Sequence, residues 1–86
     1  MPFTYILYSA KLDKYYVGST INIERRLVDH NNGYSKFTST GVPWKLVYTE
    51  EFENLALARK RELQIKKMKS RKYVESLIMN DSTSKF

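Results

Sequence analysis

Two runs of aromatic and β-branched residues, "FTYILYS" (3–9) and "KYYVGS" (14–19), stand apart by the short segment "AKLD". Such side chains suit a pleated, half-buried surface, and so short a connection makes a hairpin. The chain must therefore build around a β-hairpin whose two strands are short and largely buried.

After Gly18 the signals change to helical ones. "STINIERRLVDHNNG" offers Thr20 or Asn22 as an N-cap, Glu24 in the first turn, and Asn31, Asn32 and Gly33 as a stop. "GYSKFTSTGVP" (33–43) reads as a polar, basic loop closed by Pro43, and "WKLVYTEEF" (44–52) returns to strand chemistry. Asn54 caps a longer helix, "LALARKRELQIKKM", and Ser70 caps a third, in which Tyr73, Val74, Leu77 and Ile78 recur at helical spacing. "NDSTSKF" is too polar to pack and is expected to fray, which puts the domain at 1–79 and a polar tail at 80–86. The order β-β-α-β-α-α predicts an α+β fold, a small three-stranded sheet flanked by helices.

A length of 86 residues, 42% of them hydrophobic, supplies one modest core and a single domain. The absence of cysteine excludes a disulfide framework and a thiolate metal site, and one histidine excludes a His cluster. A catalytic metal would have to sit on carboxylate and water. "MPFTYILYSAK" has no charged start before its short apolar run, and no stretch approaches the roughly 18 apolar residues of a membrane span. A soluble, cytoplasmic chain is expected. Fifteen Lys and Arg against nine Asp and Glu give a net charge of +6, which favours a polyanionic partner. Nucleic acid fits better than an anionic membrane, because no long amphipathic helix with a bulky aromatic face is present.

The first helix distinguishes its two adjacent arginines. At about 100° per residue, Arg26 and His30 fall one turn apart on the flank of the stripe defined by Ile23 and Leu27, whereas Arg25 points to solvent. A guanidinium at a sheet edge suits a phosphate, and an imidazole beside it can exchange a proton near neutral pH. Equally, Arg26 can pair with Asp29 or Glu24 while His30 closes the helix end. On the second helix Leu57, Ala58, Ile65 and Met68 share an apolar arc, and Glu62 borders it. A carboxylate there needs a counter-charge, a donor or a metal, and Arg59 and Lys66 are the local candidates. Seven tyrosines are mostly explained as core, although a phenol beside Arg26 could accept a proton if the cation lowered its pKa.

These residues resemble the GIY-YIG nuclease superfamily, in particular its small single-domain bacterial members, which are expected endonucleases. "FTY" (3–5) stands where the GIY triplet would, "YVG" (16–18) where YIG would, "NIERRLVDH" (22–30) looks like the arginine helix and "RELQIKKM" (61–68) like the metal-binding helix. The resemblance runs from about Phe3 to Ile78, with the order and spacing of the motifs carrying more than any one of them.

The resemblance implies a metal-dependent endonuclease that hydrolyses DNA phosphodiester bonds, structure-selective and placed in DNA repair or processing. It implies Tyr5 and Tyr16 as the motif tyrosines, Arg26 as the phosphate-stabilising arginine, His30 as its helix partner and Glu62 as the ligand of one Mg²⁺ or Mn²⁺. Tyr16, Tyr5 or His30 would deprotonate the attacking water, Tyr16 ranking first. Gly18 would let backbone approach substrate. Ser19, Lys36, Lys66, Lys67 and Lys69 complete the expected substrate contacts, chiefly to phosphates. One alternative is a non-catalytic nucleic-acid-binding module on the same fold. Another is a domain that docks on a protein through Trp44 and Tyr48 on an exposed strand.

Overall fold

The chain builds its sheet outward from the first strand. β1 (Phe3–Ser9) pairs antiparallel with β2 (Lys14–Thr20), placing Tyr5 opposite Gly18 and Leu7 opposite Tyr16. β3 (Trp44–Glu51) pairs antiparallel with the other side of β1, so the strand order is β2-β1-β3. The computed structural model describes residues 1–32 and 39–85, with side chains through residue 80. Since β1 is central and covered on both faces, Thr4 to Leu7 are all buried, which explains a continuous apolar run where a half-exposed strand would alternate. β2 is an edge strand.

Alternation along β1 sorts the helices. Tyr5 and Leu7 point to the face covered by α1 (Ile23–Asn31), where Ile23, Leu27 and Trp44 pack with them. Ile6 points to the opposite face, against Ile65 of α2 (Leu55–Met68) and Val74 of α3 (Arg71–Lys85). The expected α+β architecture and element order are those observed. Among the described residues no helix is long and apolar enough to cross a membrane.

Each helix begins on a side chain that satisfies an otherwise orphaned amide. Asn22 caps α1 by accepting from the Arg25 N–H at 3.0 Å. Asn54 accepts from Leu57 N–H at 2.9 Å, and Ser70 from Tyr73 N–H at 3.1 Å. Thr20, the other candidate cap, instead accepts from the backbone N–H of Asn22.

Two expectations are corrected. On α2, Ala58 and Ile65 are buried, but Leu57 and Met68 are 42% and 51% exposed. Ala58 brings α2 close enough for its carbonyl to accept from the buried Thr4 hydroxyl at 2.6 Å, so the contact narrows to one ridge and residues further round face outward. Trp44, expected on an exposed strand, is 6% exposed. The Asn31 side chain accepts from its backbone N–H and donates to its carbonyl, and Gly41 leaves the room its indole fills. Tyr48 on the same strand is half-buried, its hydroxyl donating to Glu50. α3 continues in backbone to Lys85, and "MNDSTSK" contains no glycine or proline to stop it.

Candidate active site

Tyr5 occupies the middle of the central strand and is 2% exposed. Its ring crosses onto the neighbouring strand at Gly18, so the space a side chain would take there is filled by tyrosine. Packing against Tyr5 by itself requires glycine at this position, whatever approach of backbone to substrate it also allows. The Tyr5 hydroxyl is 3.1 Å from Nε2 of His30, and Arg26, one turn earlier on α1, is near enough for its charge to act on the phenol. Which of Tyr5 and His30 donates depends on the imidazole tautomer.

The electrostatics of this group follow from burial first. Desolvation pushes the Tyr5 phenol up to about 12, outweighing the downward pull of Arg26. Tyr5 is therefore protonated at neutral pH, burial working against the pull of Arg26 that a proton-accepting role would need. His30, only 1% exposed, is held below its ordinary value by burial and then by the Arg26 charge, so it is a neutral imidazole at pH 7.

Tyr16 lies on the same face and is half-buried, its ring edge-on to His30 at 4.9 Å between centroids and 6.2 Å from Trp44. From the other side of β2 comes Glu62. Its carboxylate accepts from the Ser19 hydroxyl at 2.6 Å on one oxygen and from the Lys66 ammonium at 2.6 Å on the other, with 19% of the side chain exposed. Lys66 also lies over the Tyr16 ring, 5.8 Å from its centroid. These contacts join two faces of the sheet, because an edge strand lets helices on both sides reach round it. The Glu62 charge is felt as far as Tyr5, whose phenol it helps to raise.

A metal at Glu62 would find one carboxylate and a hydroxyl. Among the described residues no group of three or more His, Cys, Asp or Glu is placed to hold an ion. That donor set suits a hard, largely hydrated Mg²⁺ or Mn²⁺ and does not suit zinc. A cation, the lysine ammonium, already rests against the carboxylate, so the residues fit a single ion held at Glu62 and otherwise by water and substrate oxygens.

The GIY-YIG catalytic domain matches residues 1–74. The chain belongs to the GIY-YIG family. It is 49% identical over 55 residues to a UPF0213 protein of Syntrophus aciditrophicus, a match covering 62% of this chain and 63% of that relative. With a UPF0213 protein of Clostridium perfringens it shares 46% identity over 69 residues, covering 79% of this chain and 73% of the relative. The solution NMR structure of a UPF0213 protein from Bacillus halodurans is similar at a TM-score of 0.57 and 32% identity, over 92% of this chain and 84% of that one. The family is thus the one the motifs resembled, and the fold is that of its small members.

Within this GIY-YIG fold, Tyr5, Tyr16, Arg26, His30, Ser19, Glu62 and Lys66 come together at the β2 edge. Lys67 and Lys69 are exposed at the end of α2, and Lys36 lies outside the described residues. A groove of about 830 Å³ on the outer side of α2, lined by Phe52, Leu57 and Leu63 among others, includes none of Tyr5, Tyr16, Arg26 or His30. Sequence reasoning missed Asn31 and Trp44, which back the aromatic cluster. Asn31 carries only the signal of a helix stop, and nothing local shows that its amide will bracket a strand across the sheet.

Proposed function

We propose that this GIY-YIG protein is a metal-dependent endonuclease hydrolysing DNA phosphodiester bonds, selective for DNA structure and acting in repair or processing. The observation that carries the reading is the chain of contacts Glu62, Lys66, Tyr16, His30, Tyr5, Arg26, which collects four elements at one exposed edge. A module that only held nucleic acid would need its positive charge alone.

In this reading Arg26 neutralises charge growing on the phosphate through its fork of guanidinium donors. Tyr16, acting as its phenolate after giving its own proton to solvent, takes the proton of the attacking water, because it is partly open whereas Tyr5 is sealed. His30, neutral and edge-on to Tyr16, fixes both tyrosine rings. Ser19 orients the Glu62 carboxylate. One Mg²⁺ or Mn²⁺ bound there would supply charge neutralisation at the phosphate and the leaving oxygen. Lys66, Lys67 and Lys69 contact phosphates along the strand, so affinity falls with salt, by roughly 0.9 log units per log unit of salt for each contact with duplex.

The test is a cleavage panel of duplex, flap, branched and single-stranded DNA with Mg²⁺ and with Mn²⁺, wild type against Glu62→Gln. Wild type is expected to cut at least one substrate. Glu62→Gln is expected to bind it as well or slightly better without cutting, with thermal melts confirming the fold. Binding of all substrates with no cutting in either metal assigns the protein to the nucleic-acid-binding alternative.

A further inference from the structure

We infer that Lys66 is a competitor built into the metal site: its ammonium occupies Glu62 in the free protein and has to be displaced before an ion can bind there. The inference rests on the proposed metal role of Glu62. An i,i+4 Lys and Glu on a helix surface is ordinarily a weak, solvent-screened pair. This one differs at the glutamate end. The Glu62 side chain is 19% exposed, and one of its oxygens is held by Ser19 at 2.6 Å while Lys66 holds the other at the same distance. Each oxygen thus already carries one donor, and an incoming ion has to share the carboxylate with the ammonium or take its place.

Charge decides which donor yields. The Ser19 hydroxyl is neutral and can rotate to accept or donate, so it can stay beside a divalent ion. An ammonium at contact distance from the same carboxylate would face that ion as a like charge, a repulsion that solvent screens only in part. The Glu62-bound ammonium is already 5.8 Å from the Tyr16 ring centroid, and its flexible stem lets it swing further towards that ring. A substrate phosphate beside Tyr16 would hold it there. Metal and phosphate binding are then linked through this one side chain, and each strengthens the other reciprocally.

Mn²⁺ affinity, read from the free-ion signal in electron paramagnetic resonance, tests this without any cleavage. The variants are Lys66→Met, which keeps the apolar stem, and Lys60→Met, which removes the same charge from the outer side of α2; each is made with Glu62 intact and as Glu62→Gln. Lys66→Met is expected to tighten Mn²⁺ binding about ten-fold, the order set by a contact charge partly screened by solvent. Lys60→Met is expected to change it less than about two-fold, and Glu62→Gln to remove the Lys66 effect. Thermal melts check that each variant is folded. Should Lys66→Met bind Mn²⁺ no better than wild type while Glu62→Gln abolishes binding, the competition is wrong and the metal site stands. An equal gain in Lys60→Met reduces the effect to net charge and overturns the proposal. If neither wild type nor Lys66→Met binds Mn²⁺ through Glu62, the metal role itself falls, and the inference with it.

Discussion

The hydroxyl of Tyr5 lies where a side chain at position 18 would begin: a Cβ on Gly18 would stand 2.5 Å from that oxygen and 2.6 Å from the ring carbon bearing it. The tyrosine cannot step aside, because it is buried in the central strand and its hydroxyl is tied to His30. Gly18→Ala is therefore expected to destabilise the fold by about 1–3 kcal/mol, the usual cost of overpacking a core. Thermal melts read this directly, at about 4–8 °C per kcal/mol for a domain of this size. An unchanged melting temperature with weakened DNA binding would instead place the need for glycine in the substrate contact.

Arg25 and Arg26 are adjacent in sequence and differ in what they touch. The Arg25 backbone N–H serves the Asn22 cap, whereas the Arg26 guanidinium reaches Tyr5. Arg26→Ala is expected to lower the cleavage rate by about 10² to 10³, the range for losing one preorganised charge-stabilising donor. Arg25→Ala should change only general affinity. Single-turnover rates at saturating protein separate the two effects, and equal rates for both variants would remove Arg26 from the chemistry.

His30 gives the fold a defined acid response. Burial and Arg26 hold its folded-state pKa below the unfolded value of 6.5, so below about pH 6.5 the unfolded chain binds a proton that the folded one refuses. Stability is fully present above that pH and falls as the pH drops toward the folded-state value. Denaturant melts between pH 7 and 5 should show the decline. His30→Gln, which can still hydrogen-bond Tyr5, should flatten that part of the profile even if it is less stable throughout.

Lys69 closes α2 in the left-handed region, at φ 46°. That conformation strains a residue with a Cβ by roughly 1–2 kcal/mol, part of which a glycine gives back through a more flexible unfolded chain. Lys69→Gly is expected to stabilise the protein by about 0.5–1 kcal/mol. Its loss of a lysine should also weaken DNA binding and lower the salt slope by about 0.9, the value for one phosphate contact. Melting and binding would thus move in opposite directions, and a fall in both would show that the lysine side chain supports the fold.

Local chemistry settled a large part of this protein. The hairpin, the three caps at Asn22, Asn54 and Ser70, and the separation of Arg26 from Arg25 follow from short-range rules of spacing, capping and strand propensity, which act within a few residues. The half-buried setting of Glu62 follows from helical periodicity in the same way. What periodicity could not decide was the breadth of the buried face. Leu57 and Met68 were drawn out of the core because Thr4 pulls α2 in at Ala58, a contact between residues 54 positions apart. The state of Tyr5 was likewise beyond any local rule. Arg26 and burial act on its phenol in opposite directions, and only the packing of β1 between two layers makes burial the larger. The partners of Glu62 were divided between the two levels: Lys66 one turn away was readable as a helix neighbour, but Ser19 on another strand was not. Sequence fixes which groups lie within one turn of each other; desolvation and contacts across the sheet depend on chain segments that meet only in the folded molecule.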